Sequence, residues 1–427
     1  MAKRLSSVLG VDIGSRSIKI AEVKNGGKEA MVTAIGMIAT PEGAVDHTGV
    51  YNPDAVGVAL KQLISESGVS SPAAVVSIAG QASVLVRTLE VPRMNSTELK
   101  EHMQWEINRN IPFAESTVVS DFKPLEDGDP NSPNIDVVMA IAPQSAVDTL
   151  IACLKKAGKT THAIDVEPLG LARSLTTSYD DLYSGQTICV VDVGHKTTSI
   201  NIYKDGKLLM PRQVPVGGEN FTRAIADQMG VGLEEAEAMK STRADLATMA
   251  ADGAGAGPLS ANPFAGGGTQ EFTPYNPFSD EPMPTSVGPV ASSPAPSSDE
   301  PEAFQDMDAE PAPAPVVDNT PAPAGDSGRI NAAMGNELDE FVAEIRRSID
   351  YFRNRGGDVN RICLCGGGAQ LRGLPEFLGK SLGIGCDAYD PLRRLNLNAK
   401  KADQSFIDSH RSEFAVAVGN GLHILFD

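Results

Sequence analysis

The sequence predicts an α/β protein built from two related halves, and three observations carry that prediction. The first is a repeated strand–turn–strand unit. Leu9-Gly10-Val11-Asp12-Ile13-Gly14-Ser15-Arg16-Ser17-Ile18-Lys19-Ile20 is matched at an offset of 180 residues by Val191-Asp192-Val193-Gly194-His195-Lys196-Thr197-Thr198-Ser199-Ile200. Asp12 aligns with Asp192, Gly14 with Gly194, Ser17 with Thr197, and Lys24-Asn25-Gly26 with Lys204-Asp205-Gly206. The second is the alternation of apolar strand-like runs with amphipathic helices around each copy, which implies α/β layering. The third is one segment, 250–328, whose composition differs in kind from everything around it.

Taken in order, residues 7–36 read as a hairpin system turned by Asn25-Gly26-Gly27. Pro53 and the spacing of Val56, Leu60, Leu63 and Ile64 predict a helix over 53–67. Ala74–Ile78 and 84–91 read as strands, the latter ended by Pro92. Asn95 or Ser96 caps a helix through Ile107, and Trp105 and the Ile111-Pro112-Phe113 corner are expected to pack. A polar loop over 126–134 leads to a strand at 135–141 and an amphipathic helix to Lys156, ended by Gly158. Ala163–Val166 feeds a helix at Glu167-Pro168. The second hairpin system, 187–214, runs into the glycine turn Val216-Gly217-Gly218-Glu219-Asn220, a helix after it, and a further helix over 234–249. Helicity resumes near Arg329 with Leu338, Phe341, Val342, Ile345, Ile349 and Phe352 on one face. Arg361–Cys365 is a buried strand entering Gly366-Gly367-Gly368, a helix starts at Leu374-Pro375, and a small-residue helix over 415–422 closes the pattern.

Composition narrows the class. The 427 residues carry a net charge of −19, which argues against non-specific nucleic-acid binding and against docking on an anionic membrane. That charge is uneven: 250–328 holds 12 acidic residues and no Lys or Arg, leaving −7 on the rest. The same stretch holds 15 of the 29 prolines, and its Gly, Ala, Pro and Ser content leaves too little apolar surface to offset ordering entropy, so a disordered acidic linker is expected there. Five scattered cysteines without a CxxC read as buried free thiols of a reducing compartment, and the six histidines do not cluster as metal ligands. The apolar run after Lys3 and Arg4 is broken by Asp12, too short for a signal peptide, and no run reaches a membrane span. A cytoplasmic protein is expected.

The chemistry sits in the repeat. A turn of glycine and hydroxyl residues presents N–H and O–H donors of the kind polyphosphate requires, and an Asp at the preceding strand end can hold a magnesium ion, usually through water. Two such turns facing one another would clamp one nucleotide. Gly366-Gly367-Gly368 lets the main chain approach a flat ligand closely. No GxGxxG and no GxxxxGK[ST] occurs. Glu167, at a strand–helix junction, either orients a hydrolytic water or is a first-turn acid favoured by the helix dipole. Lys19 is either a phosphate contact or a solvated strand residue, and Glu237 and Lys240 could be no more than an exposed i, i+3 pair.

Asp12-Ile13-Gly14-Ser15, Glu167-Pro168, Asp192-Val193-Gly194, Gly366-Gly367-Gly368 and Ala417-Val418-Gly419 resemble, in order and spacing, the phosphate-1, connect-1, phosphate-2, adenosine and connect-2 motifs of the actin-like ATPases. Gly14-Ser15-Arg16-Ser17-Ile18-Lys19, Glu106 with Ile111-Pro112-Phe113, Val166-Glu167-Pro168-Leu169, Gly217-Gly218-Glu219 and Arg346-Arg347-Ser348-Ile349 are similar to the PilM family of type IV pilus assembly. The resemblance implies ATP and magnesium bound between two ribonuclease-H-like halves. Asp12 and Asp192 would lie near magnesium, and Ser15, Ser17, Gly194 and Thr197 near the phosphates. Gly218, Glu237, Lys240, Gly366, Gly367 and Gly368 would lie near adenosine. Gly14, Lys19, Thr198, Gly217 and Glu219 complete the candidate nucleotide set.

The resemblance also implies a division of the chain. Residues 1–85 with 161–186 would form the first half, 86–160 an inserted subdomain in the position found in FtsA, 187–230 with 356–427 the second half, its last helix returning to the cleft, and 231–249 with 329–355 a small subdomain. The implied partner is the N-terminal cytoplasmic tail of the inner-membrane protein PilN, with other pilus motor and platform proteins and self-association left open. The implied function is a nucleotide-gated scaffold with at most slow ATP hydrolysis, recruited to the membrane by its partners. An FtsA-like division protein needs an anchor helix, and only Leu422–Asp427 follow Gly421, so no direct membrane anchor is expected. A small-molecule kinase of the same fold needs an acidic base with a substrate pocket, for which no distinct candidate stands out.

Overall fold

A computed structural model describes residues 5–27, 29–80, 83–113, 117–125, 132–251 and 325–426. The acidic segment expected to be disordered lies outside the described residues from 252 to 324; its end, 325–328, opens a helix.

The described elements are β1 (Ser7–Ile13), β2 (Ser17–Asn25), β3 (Ala30–Ala39), α1 (Pro53–Ser67), β4 (Ala73–Ile78), β5 (Leu85–Pro92), α2 (Ser96–Arg109), β6 (Val118–Pro124), β7 (Asn134–Pro143), α3 (Gln144–Lys156), β8 (Thr160–Val166) and α4 (Glu167–Tyr183). The chain continues with β9 (Thr187–Val193), β10 (Thr198–Lys204), β11 (Lys207–Val214), α5 (Gly218–Met229), α6 (Leu233–Arg243), α7 (Leu246–Ala251), α8 (Asp326–Ala333) and α9 (Gly335–Asn354). It ends with β12 (Arg361–Cys365), α10 (Leu374–Leu382), β13 (Cys386–Ala388), β14 (Asn396–Leu397), α11 (Gln404–His410) and α12 (Ala415–Gly421). Local chemistry sets many of the ends. Asn52 accepts from Ala55 N at the start of α1, with Pro53 in the first turn and Gly68 left-handed at the end. Asn95 and Glu98 form a reciprocal capping box on α2.

The internal repeat extends to whole sheets. One runs β14-β3-β2-β1-β4-β8 and the other β11-β10-β9-β12-β13. Without β14 the two orders are the same. In each, a meander of three antiparallel strands is followed by two strands that join parallel to the first. The third sheet, β5-β7-β6, is antiparallel and packs with α2 around Leu99, Met103, Val137 and Met139.

Three layers fix the relation of the large sheets. α1 and α3 cover one face of the first, around Leu60, Val76 and Leu154. α5, α8, α9 and α10 cover one face of the second, around Phe221, Phe341, Ile345 and Leu378. Between the sheets lie α12, packed on the first through Ala417 and Val418 with Leu422 just after it, and α4, packed on the second through Leu171, Leu175 and Tyr179. Asn420 pins α12 to the first sheet, accepting from Ser77 Oγ and donating to Val11 O, both at 2.9 Å. Tyr203 Oη donates to Pro168 O at 2.8 Å and holds α4 to the second.

Five features depart from the sequence expectations. β6 is a strand not foreseen in Val118–Pro124, whose exposed polar positions blur its alternation. The helix expected over 234–249 breaks at Ala244, which takes up extended backbone, so α6 and α7 are separate. α3 was expected inside the 86–160 insertion but packs with α1 on the first sheet, through Leu150, Cys153 and Leu154. β14 pairs with β3, so part of the segment assigned to the second half joins the first sheet. Trp105 does not pack inward: it is 55% exposed, on the face of α2 away from Leu99, Met103 and Ile107. All five cysteines are free.

Candidate functional site

The two turns are built alike. Gly14 N donates to Ser17 O at 3.1 Å, and Gly194 N donates to Thr197 O at 3.0 Å. Each bond closes the tip of a hairpin and fixes its register. Glycine is needed for this close approach: a β-carbon at Gly194 would stand 2.7 Å from Thr197 O. The register then places Lys19 opposite Asp12 on β2, and Ser199 opposite Asp192 on β10.

Both turns open on one cavity of about 760 Å3 between the large sheets, a size that suits a nucleotide or drug-sized ligand. Asp12, Gly14, Ser15, Ser17 and Lys19 line it from the first hairpin, and Asp192, Gly194 and Thr197 from the second. Glu167, Gly218, Glu237, Lys240 and Gly366-Gly367-Gly368 complete the set that the structure brings together. Gly366 has φ +85°, and a β-carbon there would meet Asp192 Oδ1 at 2.2 Å, so only glycine lets the run pass over that carboxylate. Three candidates lie off the wall. Thr198 is buried with its hydroxyl on Val216 O at 2.7 Å. Gly217 is the N-cap of α5, its N–H on Asn220 Oδ1 at 3.0 Å. Glu219 pairs with Arg223 at 2.9 Å. Each of the three supports a turn or helix end from behind.

The charges of the two hairpins are not alike. Lys19 Nζ donates to Asp12 Oδ2 at 3.2 Å, with the two side chains 11% and 21% exposed. Lys19 is therefore neither solvated nor free. Burial works against its charge, but Asp12, Glu413 and Asp192 outweigh that and raise its pKa. Asp192 faces a serine where Asp12 faces a lysine. Burial and the neighbouring Asp12 charge push its carboxyl up to about 7. Glu167 is raised further, by burial first and then by Asp192, against a hydrogen bond from Ser199, and its Oε1 has no hydrogen-bond partner among the described residues. Glu237 and Lys240, 2.8 Å apart, are no exposed pair. Lys240 also reaches Gly218 O at 2.9 Å and Thr222 Oγ1 at 2.8 Å, tying α6 to the N-terminus of α5 beside the cavity.

Sequence reasoning missed several groups. Thr40, at the end of β3, braces the first turn: its Oγ1 donates to Gly14 O at 2.6 Å and its N–H to Arg16 O at 3.0 Å. The second turn is braced by main chain, with Gly218 N on Gly194 O at 2.9 Å and Glu219 N on His195 O at 2.8 Å. Glu413, just before α12, lines the cavity and accepts from Gln370 Nε2 at 2.7 Å. The cavity also continues into a lobe walled by the first half alone, through 45–51, Ser77–Gly80, Ser83, Pro143, Ser145, Ala146 and Thr149. No local pattern marks these residues. Only the cross-strand pairing of Asp12 with Lys19 could be read from sequence, once the hairpin register is fixed.

The donor set bears on magnesium. Among the described residues no three His, Cys, Asp or Glu side chains converge as a metal cage. Among the described residues Asp192 is a half-buried acid with no ion pair of its own, next to the Lys19-paired Asp12, and Glu167 Oε1 has no hydrogen-bond partner. Hard oxygen donors in that number fit an ion that arrives with phosphate oxygens and keeps its waters, as magnesium does.

Two sheets of one topology, their paired turns facing a shared cavity and two helices crossing between them, define an actin-like fold. The chain belongs to the type IV pilus assembly protein PilM family, whose model matches residues 10–248. The model of cell division protein FtsA matches residues 189–419. A solved PilM–PilN type IV pilus biogenesis complex contains a chain with a TM-score of 0.72 and 24% identity, the match covering 99% of each chain. Cell division protein FtsA of Bacillus subtilis (strain 168) is 32% identical over 97 residues, 23% of this chain and 21% of that protein. FtsA of Neisseria meningitidis serogroup B is 22% identical over 258 residues, 56% of this chain and 61% of that protein. The chain thus spans less than two thirds of either curated relative. No helix among the described residues is long and apolar enough to cross a membrane.

Proposed function

We propose that this chain is a cytoplasmic ATP-binding scaffold of type IV pilus assembly. In this reading it binds the N-terminal tail of an inner-membrane pilus protein of the PilN kind, in a nucleotide-dependent way. Family membership and the likeness to a chain of a PilM–PilN complex support the assembly role. The observation that carries nucleotide dependence is the continuity of the cavity. Its walls run from the twin turns into the first-half lobe beside α3 without a break. A nucleotide at the turns and a peptide in the lobe would share walls, so each would bias the other's affinity.

In this reading Gly14, Ser15, Ser17, Gly194 and Thr197 present donors to the phosphates, and Gly366–Gly368 with Glu237 and Lys240 flank the adenosine. Asp12 and Asp192 hold magnesium through water, and the ion when bound neutralises phosphate charge. Glu167 faces the cavity with its carboxyl raised to about 8 by burial and then by Asp192, near the pH at which a general base works. In this reading hydrolysis is at most slow, with ATP acting chiefly as a signal. The match of the FtsA model to the second half is consistent with a shared nucleotide-binding half.

The test is fluorescence anisotropy of a labelled synthetic peptide of the PilN N-terminal tail, titrated with the full chain with and without magnesium-ATP. Binding whose affinity changes severalfold with the nucleotide is expected. No peptide binding, or the same affinity in both conditions, overturns the reading.

A further inference from the structure

Arg16 stands at the tip of the first turn, between Ser15 and Ser17, and lines the cavity. Its Nη2 lies 3.7 Å from Glu237 Oε1 on α6, with the Arg16 side chain 59% exposed and that of Glu237 25%. This ion pair crosses the cavity, from the hairpin of the first sheet to the helices that cover the second. Glu237 does not depend on it. Its other oxygen, Oε2, receives Lys240 Nζ at 2.8 Å and the Thr222 hydroxyl. An exposed pair at that distance is a weak contact, screened by salt and easily displaced by a stronger anion. A guanidinium is also the side chain whose planar fork best matches phosphate oxygens.

We infer that Arg16 reads the outermost phosphate of the bound nucleotide, an inference that rests on the nucleotide reading above. Without that phosphate, Arg16 stays on Glu237 and ties the two halves across the cavity. With it, the guanidinium leaves Glu237 for the phosphate oxygens, and the tie is exchanged for a contact made by the first half alone. The cross-cavity link then differs between diphosphate and triphosphate states, giving the partner lobe on the first half something to sense. The position at the turn tip, the weak pairing across the cavity and the self-sufficiency of Glu237 each support this exchange.

Calorimetric titration of the full chain with magnesium-ADP and with a magnesium-loaded non-hydrolysable ATP analogue, for the wild type, Arg16→Ala and Arg16→Lys, tests it. Wild type is expected to prefer the triphosphate. Arg16→Ala is expected to bind the triphosphate about tenfold more weakly and the diphosphate within about twofold of wild type, the loss expected for one charge-assisted contact. Arg16→Lys, which keeps the charge without the fork, should fall between them. An Arg16→Ala chain that keeps the wild-type ratio, or loses affinity equally for both nucleotides, overturns the role of Arg16 while leaving the nucleotide site standing. A wild-type chain that binds neither nucleotide overturns the nucleotide reading and this inference with it.

Discussion

The two hairpin turns have the same backbone and different electrostatics. At Asp12–Lys19 the acid meets a lysine directly across the hairpin, and a threonine side chain from β3 holds the loop. At Asp192–Ser199 the acid meets a serine, and the N-terminus of α5 holds the loop through main-chain amides. The first turn thus carries its own cation, whereas Asp192 of the second has no ion pair among the described residues and feels Lys19 only from across the cavity. The repeat explains the shared shape, whereas the divergence at one cross-strand position gives Asp12 an ion pair and Asp192 a serine opposite it.

The contrast can be broken at its strongest point by removing that one position in each turn. Lys19→Met leaves Asp12 beside a cavity with no counter-charge and should cost on the order of 3 kcal/mol, the expected penalty for stripping one member from a largely buried pair. Ser199→Ala, the equivalent change, removes a hydroxyl that bonds Glu167 and no counter-charge of Asp192, and should cost about 0.5–1 kcal/mol, as for one hydrogen bond. Urea denaturation of both variants checks this, and equal losses would erase the distinction between the turns.

Neutralising the acids sharpens it further, because the signs oppose. Asp12→Asn takes from Lys19 its one direct ion pair among the described residues, leaving only the more distant Glu413 and Asp192, and should destabilise. Asp192→Asn should stabilise the nucleotide-free protein at pH 8 by on the order of 1–2 kcal/mol. The sign follows from the raised carboxyl of Asp192, since the folded protein keeps that proton longer than the unfolded chain. The cost of ionising it accumulates as pH rises from the ordinary aspartate range to about 7 and persists above. The gain of Asp192→Asn should therefore be present at pH 8 and vanish near pH 4 in thermal melts. A gain that persists at pH 4 would show that charge is not its source.

The braces give the smallest effects. Thr40→Val removes the hydroxyl on Gly14 O and should cost about 1 kcal/mol, with a severalfold loss of nucleotide affinity. The brace of the second turn is main chain. Asn220→Ala, which uncaps α5 behind it, should cost about 0.5–1 kcal/mol and change affinity less. Parallel melts and titrations of the two variants would rank them.

How much of this was legible in the sequence follows from where the information sits. The duplicated Asp-x-Gly turns, 180 residues apart, were enough to expect two related halves, and the sheets share one strand order. Glycines and hydroxyls at the tips marked the cavity wall because turn chemistry is local. Thr40 was not legible, since it is 26 residues from Gly14 and nothing near it signals a loop contact. Glu413 and the first-half lobe come together only through the fold. Trp105 was misread because a lone aromatic in a helix is expected to face inward, but Leu99, Met103 and Ile107 already fill the buried face of α2. On the solvent side Trp105 lies under Arg109, whose guanidinium is 5.3 Å from the ring centroid. Thr198, Gly217 and Glu219 sit one residue from cavity-lining positions and turn to the supporting side.

The most direct test of the proposed magnesium role of Asp192 is calorimetric titration of ATP into the full chain at pH 8, with magnesium and with a chelator, for wild type and Asp192→Asn. The expected wild-type result is one nucleotide per chain, bound at least about tenfold more weakly without magnesium, as for an ion held by carboxylate and phosphate together. In Asp192→Asn the two conditions should converge while the protein stays folded. A wild-type chain that does not bind ATP, or an Asp192→Asn chain with undiminished magnesium dependence, would contradict the account.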